Sequence, residues 1–228
     1  MIMKIARYSI VLFVLGLVLF SNGCGVISRL LSPTNEEMKI PAEYKLSEQI
    51  EKKLLVLVNQ PGWLSAQANL RYYLTEAMNR KLVQKLEMLP ENLIDYSDLS
   101  EFRSSRPDFS LLTPPQVGKA MGVDMVLLVN IDSFKLEQMT QPGYFKGDLN
   151  TRAILYDAAS GQRLWPQKGN SKAVKVGFEV EDRGRQIAIE RLTEAVAYCT
   201  TRYFYDCSMG KFQIADDRSD IAWDSWEN

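Results

Sequence analysis

Apolar residues along this chain fall into three kinds of run, and each predicts a different element. One kind is short and unbroken. Leu54-Leu55-Val56-Leu57-Val58 and Met125-Val126-Leu127-Leu128-Val129 have no polar interruption, and the second continues through Ile131 and Phe134. Runs like these are strands buried on both faces, as in parallel sheets covered by helices. Leu93-Ile94-Asp95-Tyr96 reads as a shorter strand between them. A second kind is periodic. After the Pro61-Gly62 turn, Leu70, Leu74, Ala77, Met78, Leu82 and Leu86 recur at helical spacing, with Arg71, Glu76, Arg80, Lys81 and Lys85 mostly on the other face. Pro90 is expected to end that helix, and a short helix follows around Ser97 to Arg103.

The next helix start carries its own punctuation. Thr113 can cap, Pro114 suits the first helical position, and Gln116 completes a capping box. Leu112 and Val117 can form the accompanying hydrophobic staple, and Gly122 supplies a stop. Strand, helix, strand, helix, strand is the pattern of parallel crossovers. Beyond Phe134 the rhythm changes. Tyr144 to Tyr156 and Val174 to Val180 read as strands, and Val174, Val176, Phe178 and Val180 alternate with Lys175, Gly177 and Glu179 as on a half-wet face. Asp157 to Gly161 is a turn leading into Gln162-Arg163-Leu164-Trp165. A last helix from about Arg183 to Tyr203 carries Ala188, Leu192, Ala195, Val196 and Cys199 on one stripe. The fold class is therefore α/β: a single domain with a mixed sheet, parallel β-α-β crossovers in the N-terminal half, antiparallel strands after, and a long C-terminal helix.

The third kind of run stands alone at the start. Lys4 and Arg7 precede an apolar stretch from Ile10 to Phe20, and Ser21-Asn22-Gly23 leads to Cys24. This resembles a bacterial lipoprotein signal, with the thiol at the first mature position. A thiol there accepts thioether-linked diacylglycerol. Two other readings share the segment. Ser21 and Gly23 also suit ordinary signal peptidase, and the apolar run could remain as an anchor, although a span needs about 20 residues. Gly25, in place of Asp, resembles the outer-membrane sorting pattern in a host with two membranes. The expected division is a signal over 1–23, a lipidated Cys24 and polar tether over 24–43, an α/β envelope domain over 44–212, and an acidic tail over 213–228.

Charge and composition narrow the function. Removing residues 1–23 from the 228 leaves 205, ample for one domain. It takes away Lys4 and Arg7 but no acid, so the net charge falls from −1 to −3. That balance offers no basic footprint for nucleic acid. The chain contains no histidine, which excludes histidine-based nucleophile systems, a histidine general base and histidine zinc sites. There is no Gly-rich phosphate loop, and apart from Cys24 only Cys199 and Cys207 remain, too few for a thiolate metal site. No cofactor, metal or catalytic residue is expected.

Two local motifs and the order of elements resemble a superfamily of envelope proteins. Ala120-Met121-Gly122-Val123-Asp124-Met125-Val126-Leu127 resembles its helix-to-strand junction, and Asp157-Ala158-Ala159-Ser160-Gly161-Gln162-Arg163-Leu164-Trp165 resembles its hairpin. The superfamily includes the amino-terminal domain of the Tol translocation protein, curli-secretion lipoproteins and lipoproteins that activate penicillin-binding proteins. The resemblance covers roughly residues 50 to 205 and implies an envelope scaffold or adaptor with no catalytic site to carry over. Curli-secretion pores need membrane-spanning strands of about 9–11 alternating residues. Lys135, Glu137, Pro142 and Lys146 interrupt any such pattern here.

A few residues invite more specific roles. Ser208-Met209-Gly210-Lys211 matches the S-x-x-K of penicillin-recognising enzymes, but that chemistry needs the serine at a helix start and companion motifs that are absent. Cys199 and Cys207 form a disulfide only if the helix ends between them; otherwise one thiol is buried and the other exposed. Trp63, Trp223 and Trp226 are candidate partner contacts, against the plainer readings that Trp63 covers the end of the first strand and the tail pair folds back. Lys168, Lys172, Lys175, Arg183 and Arg185 could meet anionic lipid or glycan, or simply form a solvated face. The expected role is a membrane-anchored, periplasm-facing, non-catalytic binding or assembly factor for another envelope protein or cell-wall component. A secretion or transport subunit is the alternative, and a carboxylate-dependent envelope hydrolase the third.

Overall fold

The two unbroken apolar runs lie side by side in the sheet. The computed structural model describes residues 39–64, 69–140, 142–180 and 184–208. A two-residue strand β1 (Lys39–Ile40) comes first. Then β2 (Leu54–Asn59) pairs in parallel with the first half of β3 (Met125–Gln138), from Leu54 opposite Met125 to Asn59 opposite Asn130. Between them run three helices: α1 (Leu70–Leu86), α2 (Tyr96–Ser105) and α3 (Pro114–Ala120). Strand β3 turns back antiparallel into β4 (Phe145–Asp157). The remaining edge of β4 is shared by β5 (Arg163–Trp165) and β6 (Lys172–Val180), completing a five-stranded mixed sheet. The long helix α4 (Gly184–Thr201) follows, and the described chain ends in β7 (Cys207–Ser208). Among the described residues no helix is long and apolar enough to cross a membrane.

Both faces of the parallel pair are covered, which is why its strands needed no polar alternation. Leu54, Val56, Val58, Met125, Leu127 and Val129 pack into one core with α1 and α4. Leu55, Leu57, Val126 and Leu128 pack on the other face with Leu99 of α2 and Val117 of α3. Leu54 to Val58 are each at most 7% exposed, and each such side chain contributes roughly 1.5–3 kcal/mol by leaving water.

The crossover departs from the sequence reading at Leu93. That segment makes one parallel bridge to Leu54 and one hydrogen bond, from the Ile94 N–H to the Leu54 carbonyl at 3.1 Å. Asp95 then leads directly into α2, so a single crossover with three helices replaces two shorter ones. Leu93 is buried, and its apolar character reflects packing rather than a strand. Helix α1 likewise stops before Pro90. Glu87 takes the left-handed conformation (φ 58°) and donates its N–H to the Val83 carbonyl at 3.1 Å, while the Met88 N–H donates to the Leu82 carbonyl at 3.4 Å.

Helix α3 has the capping predicted for it. Gln116 Oε1 accepts from the Thr113 N–H at 2.8 Å and from its hydroxyl at 2.9 Å, and Leu112 and Val117 share the second core. Gly122 (φ 68°) provides the stop and Gly161 (φ 74°) the turn after β4. In that turn the Ser160 hydroxyl and N–H each donate to Asp157 Oδ1 at 2.7 Å, holding the carboxyl below its ordinary range.

The described fold begins inside the stretch read as tether. Lys39 pairs with Ser208 and Ile40 with Cys207. The Glu43 and Tyr44 N–H groups both donate to the Tyr203 carbonyl, at 2.9 and 3.3 Å. Trp165, fully buried, donates its indole N–H to Glu43 Oε2 at 2.8 Å. Lys172 also donates to Glu43 and lies 4.0 Å above the Tyr203 ring. The indole packs edge-on against Phe204, with ring centres 4.8 Å apart. Residues 43–44, the hairpin and the turn after α4 thus meet at one tryptophan.

Candidate binding groove

At the C-terminal ends of the parallel strands, β2 and β3 open into a groove of about 660 Å³. In open α/β sheets this is where ligand crevices form, because helices and loops diverge there. Its floor is apolar, from Leu57, Leu128 and Val117. Its sides carry three arginines, Arg71, Arg103 and Arg106, together with Phe109 and Ser110. Asn59 and Asn130 stand where the apolar ladder ends, and Asn59 Nδ2 donates to Asn130 Oδ1 at 3.0 Å.

Each guanidinium is positioned by its own local structure. Arg71 is the second residue of α1, where its N–H donates to the buried Gln60 side chain at 3.2 Å. Its Nη2 donates to the Gln60 carbonyl at 2.9 Å. Its Nε is buried and has no hydrogen-bond partner among the described residues. Arg103 lies over the Phe109 ring at 4.9 Å, and Arg106 lies over Phe102 at 5.3 Å. The two rings meet edge-to-face at 6.1 Å, so cations and aromatics interleave. Asp108 offsets Arg106 through contacts of 3.2 and 3.3 Å. Burial, and then the positive charge of Arg71, holds Arg103 below the ordinary guanidinium value.

No carboxylate is among the described residues lining the groove. An arginine is a fixed charge rather than a proton carrier, and Ser110 has no base beside it in the lining. The groove's described residues offer contacts for an anionic or apolar group. Among the described lining residues there is no general acid, general base or activated nucleophile.

The sequence-predicted residues are placed elsewhere. Trp63 sits in the Gly62–Leu64 turn and is 64% exposed; Leu64, not Trp63, is buried there. Cys199 and Cys207 are buried thiols with no disulfide between them. Cys199 stays on the covered stripe of α4. Cys207 is drawn inside by the β1–β7 pairing, in place of the exposed thiol expected for the unbridged case. Its Sγ lies 4.0 Å from the Tyr198 hydroxyl. Burial, and then Cys207, pushes the Tyr198 and Tyr205 phenols above their ordinary range. Ser208 of the S-x-x-K pattern is in a strand, not at a helix start. Two members of the basic cluster have different surroundings. Lys172 is tied to Glu43, whereas Lys175 lines a shallow cup with Asp148 and Asn150. Cys24, Arg183, Trp223 and Trp226 lie outside the described residues.

The groove arginines escaped sequence reasoning because Arg71 looks like an ordinary polar-face residue of α1. Arg103 and Arg106 close a short helix. The available signal was local: Phe102 and Phe109 bracket Arg103 and Arg106 around one helical end.

No family model matches the chain, and no curated protein matches it in sequence. Among solved structures it is similar to lipoprotein GNA1162 from Neisseria meningitidis, at 15% identity, over 64% of this chain and 94% of that one, with a TM-score of 0.40. It is also similar to the C-terminal domain of LpoB from Salmonella enterica (16% identity, 68% and 95% covered, TM-score 0.31). A third similarity is to TolB from Acinetobacter baumannii (13% identity, 72% and 29% covered, TM-score 0.30). Superpositions this loose establish no function.

Proposed function

We propose that this chain is a lipid-anchored, non-catalytic binding or assembly factor of a bacterial envelope, attached through Cys24 and contacting its partner through the arginine groove. The observation that carries the binding role is the groove's composition: three guanidiniums over an apolar floor, with no carboxylate or base in the described lining. The basic start, apolar run and Ser21-Asn22-Gly23-Cys24 supply the anchor and the periplasm-facing side, with the outer membrane as destination in a host that has one. The Gly122-Val123-Asp124 junction and the Ser160-Gly161 turn support kinship with the Tol and curli-secretion superfamily. The exposed Trp63 is a second contact point for a protein partner.

Affinity capture from solubilised envelopes tests the binding role. The wild-type chain should retain a partner that the Arg103→Gln/Arg106→Gln variant loses. Turnover of a wall fragment with no partner retained would reverse the assignment. For the anchor, Cys24→Ser should lose its fatty-acid label and leave the membrane fraction. A variant that stays membrane-bound without label would identify the apolar run itself as the anchor.

A further inference from the structure

We infer that the groove holds a phosphomonoester dianion whose organic part is apolar and lies on the floor formed by Leu57, Leu128 and Val117. This rests on the reading of the groove as a binding site and names its ligand class.

Charge stoichiometry comes first. Asp108 offsets Arg106, while no carboxylate among the described lining residues faces Arg71 or Arg103. Two uncompensated positive charges in a concave, partly apolar site match a doubly negative group, and low-dielectric walls intensify their field. Second, the Arg71 Nε is a buried donor with no acceptor among the described residues. Native proteins seldom leave such atoms unsatisfied, and an oxyanion is the acceptor a guanidinium fork fits best. Third, two like charges held close disfavour one another. That cost, which adds to burial in holding Arg103 below the ordinary guanidinium value, is relieved when an anion sits between them. Fourth, stacking on Phe109 holds Arg103 in place before any ligand arrives. The apolar floor supplies the rest of the ligand's environment, as in small-molecule sites generally.

Titration calorimetry on the full-length lipidated protein in neutral detergent tests this, with inorganic phosphate, phenyl phosphate and dihexanoyl phosphatidic acid as probes. Phenyl phosphate should bind about tenfold tighter than inorganic phosphate, because only it uses the floor. Arg103→Gln should weaken phenyl phosphate about tenfold or more. Asp108→Asn, which frees Arg106 of its counter-charge, should tighten it severalfold, a gain that a misfolded protein cannot produce. Binding of phenyl phosphate without the lipid marks a soluble ligand. Binding of the lipid without phenyl phosphate marks a headgroup, and either supports the assignment. No binding of any phosphate, or binding indifferent to both substitutions, overturns it. If phosphate binding fails while the double arginine variant still loses its envelope partner, the ligand class falls and the binding role stands. If phosphate binds as described while partner capture ignores the arginines, the reverse holds.

Discussion

Replacing Trp165 with alanine should lower the unfolding free energy by about 3–5 kcal/mol, the range for emptying a buried aromatic site. The indole is fully buried, packs on Phe204 and Tyr203, and is the donor to Glu43. Its loss leaves a void and takes from Glu43 one of the two donors that hold it. Because domains are stable by only about 5–15 kcal/mol in all, the variant should be close to unfolding at growth temperature. Denaturant titration gives the magnitude. Limited proteolysis should show cleavage near residues 39–44 before cleavage elsewhere, since those residues are held by Tyr203 and Glu43. A loss of less than about 1 kcal/mol, ordinary for a surface change, would mean that the aromatic junction does not fasten residues 39–44.

Gly118→Val is the second large effect. A Cβ at position 118 would lie 2.4 Å from Val126 Cγ2 and 3.0 Å from the Ala158 Cβ. Helix α3 has little room to retreat. Its start is capped by Gln116, and beyond its end the Asp124 and Met125 N–H groups are tied to the Lys53 carbonyl at 3.0 and 3.1 Å. Overpacking of this kind costs about 1–3 kcal/mol for an added methyl group, and valine brings two more. Alanine is the discriminating control. Helix propensity alone would make Gly118→Ala stabilising by about 1 kcal/mol, whereas steric contact makes it destabilising. A raised melting temperature for Gly118→Ala would refute close packing. Because Val117 belongs to the groove floor, Gly118→Val should also weaken phenyl phosphate binding.

These two positions show what was legible and what was not. The parallel pair could be read because both faces of Leu54–Val58 and Met125–Val129 are covered, so burial is written into every residue. The α3 cap could be read because Thr113, Pro114 and Gln116 are local. Leu93 misled because burial and strand pairing leave the same apolar mark. Gly118 carried no sequence signal, since a glycine in a helix announces only a missing side chain, not the Val126 methyl that occupies its place. The groove was illegible for a different reason. Arg71 and Arg103 are joined only by the way α1 and α2 settle at the end of the sheet, and no spacing along the chain encodes that.

The two-residue ladder between β1 and β7 has a consequence for engineering. Lys39 and Ser208 are neighbours, so a chain cut to residues 39–208 can be spliced end to end by a short linker and opened in the exposed loop at 167–170. Such a circular permutant should keep the native circular dichroism spectrum and bind phenyl phosphate as the parent does. By the same adjacency, cargo fused after Ser208 would be joined to the domain right next to the strand through which the N-terminal segment enters.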